Sequence, residues 1–216
     1  MLRWFGLLLV SLLLFSCTDS KEIEGEGLED FTPDERKEAN TAGSVVYLTK
    51  VEREVFFYLN LARRHPAKFV ESFLKDYEGA PGYRKGYAFD ERKASLIRQL
   101  KKQKKLALVE PSDELFRLAE CFAVAQGASG YTGHGRNGTG CDLGYHAECC
   151  DYGNYDSGLY VILELLIDSG EGNAELGHRK ILLADYRYMG VAQRNHKRFG
   201  KVAVLDFWTR KGGAWR

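Results

Sequence analysis

Two histidines and two acids stand out as residues that could carry chemistry. His134 lies in the glycine-rich stretch GASGYTGHGRNGTG, and His178 precedes the apolar run of AELGHRKILL. Glu148 adjoins two cysteines, and Asp168 follows the apolar run LYVILELLI. Each of the four stands at the border between a predicted loop and a predicted helix or strand. We therefore expect them to converge on one cleft as a tetrad.

Such a tetrad is compatible with three kinds of chemistry. Neutral imidazoles are good ligands for zinc and other divalent metals, so His134 and His178 are the candidate metal ligands. Alternatively, a carboxylate could act as general base on a water while an imidazole donates a proton, which would make a hydrolase. The third interpretation is a buried polar network that only stabilises the fold. The residues alone leave all three open.

The cysteines favour disulfide bonds. Besides Cys17, the chain has Cys121, Cys141, Cys149 and Cys150, and an even number in an exported protein is typical of bridges. A bond between neighbours 149 and 150 would be strained, so we expect each of these two to pair with Cys121 or Cys141. A zinc site made by Cys141, His146, Cys149 and Cys150 is the alternative.

The N-terminus reads as an export signal. Residues 1–16, MLRWFGLLLVSLLLFS, combine an arginine with an apolar run that is too short for a permanent membrane span. Leu14-Phe15-Ser16-Cys17 resembles the lipobox of bacterial lipoproteins, in which the cysteine carries acyl chains such as palmitate; a secretory peptide cut near Ser16 is the alternative. We expect an outer-membrane anchor at Cys17, a flexible acidic tether over residues 17–44 and a folded domain over 45–210.

The charge balance bears on partners. The chain has 31 basic and 30 acidic residues, and removal of the signal takes away one arginine. A neutral chain gives no case for nucleic acid, and the basic run RQLKKQKK at 98–105 is interpreted as a solvated helix face. The expected partners are the membrane, through the anchor, and a lipid or cell-wall ligand.

Periodicity predicts helices around a small sheet. One helix is indicated by Val55, Tyr58, Leu59 and Ala62, with a break at His65-Pro66. A charged helix is expected near residues 90–104, a third after Ser112 and a fourth around residues 159–166. The segments MGVAQRN and KVAVLDFW alternate around the turn NHKRFG, which predicts an antiparallel hairpin. The fold class is therefore α+β, with helices flanking a small antiparallel sheet.

Several segments resemble one protein family. GHRKILLADYRYMGVA is similar to the histidine motif of the CAP superfamily (SCP, antigen-5 and pathogenesis-related-like proteins), especially of its bacterial branch. ECCDYG resembles the family's first acidic element, LFRLAECFAVAQGASGYTGHGRNG its second helix and first histidine, and FFYLNLARRHPAKFV its first helix. The resemblance covers about residues 50–207, with the segments in the family's order.

The resemblance implies an α-β-α sandwich with a cleft lined by a tetrad. His134 and His178 match its histidines, Glu148 its first acid and Asp168 its second; Glu164 is the other claimant for the second acid. Two departures concern the cleft: Cys149 stands where an asparagine usually follows the first acid, and an aliphatic run, Leu165-Leu166-Ile167, replaces a tryptophan.

The function expected from the resemblance is binding. We expect a lipid-anchored CAP-domain protein of the cell envelope whose cleft binds a ligand or a divalent metal such as zinc, without established catalysis. The alternative is a metal-assisted hydrolase that acts on envelope peptides or peptidoglycan.

Overall fold

The computed structural model describes residues 23–82, 85–141, 147–169 and 175–209. The helices in these ranges are α1 (Pro33–Ala39), α2 (Lys50–Arg64), α3 (Pro66–Phe69), α4 (Phe89–Lys102), α5 (Asp113–Ser129), α6 (Gly158–Ile167) and α7 (Gly177–Leu182). A 3-10 turn at Leu28–Asp30 precedes α1, and a π-helical turn at Val70–Leu74 extends α3. The strands are β1 (Glu110–Pro111), β2 (Ala147–Tyr152), β3 (Tyr188–His196) and β4 (Gly200–Trp208).

The strands form one sheet in the order β1-β3-β4-β2. β3 and β4 make the predicted hairpin, and β2 pairs antiparallel with the other edge of β4. The short β1 pairs with β3 in parallel, so the sheet is mixed and not purely antiparallel as expected. The α+β class is confirmed. The three-layer arrangement that the family resemblance implies stays a prediction.

Helix α2 follows from its sequence pattern. Thr49 and Glu52 form a capping box, which satisfies backbone N–H groups of the first turn. The four apolar positions used to predict the helix are all at most 4% exposed (Val55, Tyr58, Leu59 and Ala62). The helix ends at His65, directly before Pro66, as predicted. Every residue from Glu54 to Arg63 is buried, so this part of the helix lies inside the core on all sides.

Helix α5 packs tightly against the hairpin. The hydroxyl of Ser112 accepts a hydrogen bond from Leu115 N–H at 3.4 Å and caps the helix. Gly190 of β3 lies under this first turn, where a Cβ atom would come within 2.1 Å of the backbone of Leu115 and Phe116. Only glycine lets strand and helix approach this closely. α5 then delivers the chain into the loop that carries His134.

The expectation of a flexible tether is wrong for residues 23–44. Leu28 and Phe31 are each 2% exposed, and the Phe31 ring stacks on Phe73 at 5.8 Å. Thr32 and Glu35 form a capping box at the start of α1. Two buried apolar side chains suffice to hold the segment, because it packs on the apolar surface of α2 and α3. Hydrogen bonds and ion pairs from its polar groups to these helices add to the attachment.

Residues 1–22 lie outside the described residues. The predicted signal peptide, its cleavage site and Cys17 therefore stay predictions. Within the described ranges, no helix has both the length and the apolar character that crossing a membrane requires.

Candidate functional site

The two histidines predicted as metal ligands lie close together. The ring centroids of His134 and His178 are 5.7 Å apart, and the ring planes make an angle of 58°. Both side chains line one open cleft with a volume of about 1270 Å³. Two imidazoles that bind one zinc ion through bonds of about 2 Å place their ring centres roughly 5 to 6 Å apart. The observed separation therefore suits a shared ion.

Glu148 holds the ring of His134. Nδ1 of His134 lies 2.7 Å from Oε1 of Glu148, which extends from β2. Burial acts to raise the pKa of Glu148, but the hydrogen bond with His134 and the charge of Arg136 together keep it below its usual value. The group is thus a carboxylate at neutral pH, and a carboxylate only accepts hydrogen bonds. Nδ1–H is therefore the donor in this pair.

Arg136 fixes Glu148 from the other side, and the sequence analysis did not single it out. Its Nε donates to Oε2 of Glu148 at 2.8 Å, and its Nη2 donates to both carboxylate oxygens of Asp206 at 2.8 Å. The guanidinium also stacks on Phe122, 4.4 Å from the ring centroid. Asp206 is fully buried in β4. An acid inside the apolar run KVAVLDFW was the one sequence signal for this network.

Asp168 holds the ring of His178 in the same way. Nδ1 of His178 lies 2.9 Å from Oδ1 of Asp168, and the backbone N–H of His178 donates to Oδ2 at 3.1 Å. Asp168 ends α6 in the left-handed conformation, with φ 57°. Both carboxylate oxygens are thus occupied by His178. The partner that an acid at a helix C-terminus needs is supplied by this histidine.

The basic residue beside His178 has a different task. Arg179 is 3% exposed and donates to the carbonyls of Leu166 and Ile167 at the end of α6. It also donates to Ser95 and to the carbonyl of Arg92 in α4. The two residues of the His-Arg pair in AELGHRK therefore have separate roles. The imidazole lines the cleft, and the guanidinium bonds α7 to the C-terminal end of α6, where Asp168 lies.

A second set of ligand atoms lies around His134. The ligand atoms of His134, Glu148 and Cys150 are all within 4.8 Å of one another, so this group could hold a metal ion. The thiol of Cys150 lies 3.5 Å from Oε1 of Glu148. Burial raises the pKa of Cys150 well above its usual value, so a metal would have to displace the thiol proton in order to bind.

The predicted disulfide pairing is wrong. Cys121 of α5 is bonded to Cys141, and Cys149 and Cys150 are free and buried. Successive residues of β2 point to opposite faces of the sheet. The Cys149 thiol lies by the carbonyl of His178, and the Cys150 thiol faces α5 at Gln126, five residues beyond Cys121. The alternative zinc site fails as well, since Cys141 has no thiolate to offer. His146, its fourth member, lies outside the described residues.

The remaining acid and histidine candidates have other roles. Glu164, the second claimant for the tetrad, accepts a hydrogen bond from the hydroxyl of Tyr77 at 2.6 Å and contacts neither histidine within the described ranges. His196 is 3% exposed, and its Nε2 bonds to the carbonyl of Tyr131 at 2.9 Å. The structure thus brings together the four residues predicted as a tetrad and leaves these two outside it.

The chain matches no known protein-family model, and a comparison with curated proteins finds no match either.

Proposed function

We propose that this chain is a lipid-anchored binding protein of the CAP type whose cleft takes a divalent metal ion between His134 and His178. The observation that carries the proposal is that each imidazole is held through Nδ1 by its own buried carboxylate. In this tautomer the Nε2 lone pair is available to a metal. A carboxylate behind a ligating histidine is the usual support of a zinc site, because it orients the ring and raises its basicity.

The same contacts argue against either carboxylate as the general base of a hydrolase. A carboxylate in that role needs an oxygen that can reach a water in the cleft. Both oxygens of Asp168 are engaged by His178, and those of Glu148 by His134 and Arg136. The carboxylates thus act as supports of the imidazoles. An imidazole held in this way can itself act as a base, so binding is proposed from the two supported imidazoles, and the cleavage assay below tests turnover.

Zinc titration of the full-length chain tests the metal site. We expect one Zn²⁺ per chain, with affinity lowered about tenfold or more in His134→Gln and in His178→Gln, because each variant removes one ligand. His65→Gln is the matched control: His65 is paired with Glu35, does not line the cleft, and its loss should leave zinc affinity unchanged.

The titration also separates the two possible ligand sets. Zinc binding that survives His178→Gln and is lost in Cys150→Ser would contradict the proposal and place the ion on His134, Glu148 and Cys150. Metal-dependent cleavage of peptidoglycan fragments or peptides by the wild-type chain, lost in the double histidine variant, would show the hydrolase instead.

The envelope location is proposed from the first seventeen residues alone. The lipobox-like Leu14-Phe15-Ser16-Cys17 supports acylation at Cys17. In a bacterial host that processes lipoproteins, a palmitate analogue should label the wild-type chain and not Cys17→Ala. Labelling that persists in the variant would refute this attachment site.

A further inference from the structure

A second pair of acids lines the same cleft as the histidines. Asp151 of β2 and Glu164 of α6 both contribute to its wall, and they are 8% and 5% exposed. Within the described ranges, neither forms an ion pair with a basic side chain. Buried carboxylates normally have such a partner or a full set of hydrogen bonds. Neither acid has such an ionic partner in the described ranges; apart from tyrosine hydroxyls, one backbone hydrogen bond reaches each acid, from Tyr152 to Asp151 and from Ala80 to Glu164.

Tyrosines supply only part of the missing hydrogen bonds. The Tyr155 hydroxyl donates to Oδ2 of Asp151, and the Tyr77 hydroxyl donates to Oε1 of Glu164 at 2.6 Å. Oε2 of Glu164 is buried and has no partner in the described part of the chain. Burial raises the pKa of Asp151 to about 7 and raises that of Glu164 as well. The raised pKa values agree with the geometry, in which no cation of the described ranges stabilises the charged form of either acid.

Aromatic rings surround the two acids. Tyr160 stacks on Tyr77 with 6.1 Å between ring centroids and meets Tyr155 edge-on at 6.0 Å. The two outer tyrosines are those whose hydroxyls bind the carboxyl groups. Carboxylates combined with aromatic rings are the chemistry that recognises organic ammonium groups, through charge-assisted hydrogen bonds and cation–π attraction.

We propose that Asp151 and Glu164, with Tyr77 and Tyr155, form a second subsite of the cleft that takes the protonated amine of a ligand. An ammonium group carries three N–H donors and can satisfy both acids, including the unpaired Oε2. A calcium ion would need six to eight oxygen ligands, more than the two carboxylates supply. The subsite does not depend on a metal at the histidines.

Binding of a simple amine to the full-length chain tests this subsite. The probe is n-butylammonium, with 1-butanol as the uncharged probe of equal length, and binding is followed by amide NMR shifts in the presence of EDTA. We expect saturable shifts around Asp151 and Glu164 for the amine alone. Glu164→Gln and Asp151→Asn should each weaken binding about tenfold, because each removes one negative charge. Asp185→Asn, an 80% exposed acid, is the control and should change nothing.

Three outcomes would overturn the subsite. One is equal binding of butanol and butylammonium, and another is an affinity for the amine that Glu164→Gln leaves unchanged while its thermal unfolding shows a folded protein. The third is saturable binding of Ca²⁺ or Mn²⁺ at the two acids, measured in a separate titration without EDTA, with no binding of the amine, which would make the pair a metal site. If Glu164→Gln does not fold, the shift map of the wild type and Asp151→Asn decide. Because EDTA removes metals, failure here leaves the histidine site untouched, and the reverse also holds.

Discussion

Glu148 and Asp206 lie directly opposite each other on the neighbouring strands β2 and β4, and both accept hydrogen bonds from the single guanidinium of Arg136. Two like charges in register on one sheet face repel each other. The positive charge of Arg136 offsets this repulsion by bonding to both carboxylates, and it helps keep the pKa of Glu148 below its usual value. The carboxylate behind His134 is therefore maintained by a residue that does not touch the histidine.

Replacing Arg136 should damage stability and metal binding together. Arg136→Met removes the cation that Glu148 and Asp206 share, so the free energy of unfolding should fall by about 3 to 5 kcal/mol in urea titrations. Zinc affinity should fall about 10- to 100-fold, because Glu148 no longer orients His134. Arg117→Met, at a 74% exposed arginine, should do neither. Adding Asp206→Asn to Arg136→Met should restore part of the stability, and failure to do so would contradict the role of charge.

A second buried arginine should matter for stability alone. Arg63 is fully buried, and its guanidinium donates to four backbone carbonyls (Ala107, Leu182, Ala184 and Tyr186). Arg63→Met leaves these acceptors unsatisfied, and the free energy of unfolding should fall by about 3 kcal/mol or more. Arg64→Met is the matched control, because Arg64 is partly exposed beside Glu38 and should cost less than about 1 kcal/mol. Equal losses in the two variants would refute the assignment.

The stability of the protein should depend on the ionisation of Asp151. Its pKa is about 7 in the folded chain, against a usual value of 3.8, because burial disfavours the charged form. The folded state therefore binds the proton more tightly, and this contribution is complete below about pH 4 and lost as the pH rises through 7. The loss is at most about 4 kcal/mol.

Asp151→Asn checks this sign. The variant should gain stability relative to the wild type as the pH rises from 4.5 to 8, as measured by urea unfolding at each pH. Asp76→Asn, at an 88% exposed side chain, should follow the wild-type curve. A stability difference between Asp151→Asn and the wild type that stays constant with pH would contradict the prediction.

The disulfide should contribute to stability through its loop. Cys121 and Cys141 are 20 residues apart, and a closed loop of this length is worth about 3 kcal/mol. Cys121→Ser/Cys141→Ser should lower the free energy of unfolding by that amount. Reductant should lower the wild type to the same value and leave the double variant unchanged. A reductant effect on the double variant would show a further disulfide between remaining cysteines and would contradict the assignment.

Much of the scaffold could be predicted because its signals are local. Val55 and Leu59 mark α2 by spacing alone, and Ser112 marks the start of α5. The contacts of Arg136 could not be predicted, because they depend on the register of β2 against β4, and a shift of one residue would turn Asp206 to the other sheet face. The pairing of Cys121 with Cys141 could not be predicted either, because it also depends on tertiary contacts.

The segment before α1 shows the opposite error, in which composition hid structure. Its acidic, polar character suggested a tether, yet Leu28 and Phe31 anchor it to the core. The capping box of Thr32 and Glu35 was a local signal that could have found the helix. Two apolar side chains that pack against the core are enough to order a segment that is otherwise polar.

If Cys17 carries the proposed lipid, the described part of the fold, in which Ile23 is already buried, must lie close to that lipid. Six residue steps separate the two positions, and a fully extended chain of that length reaches only about 20 Å. With the acyl chains in the bilayer, the domain would lie just above the headgroups, separated from them by less than its own diameter.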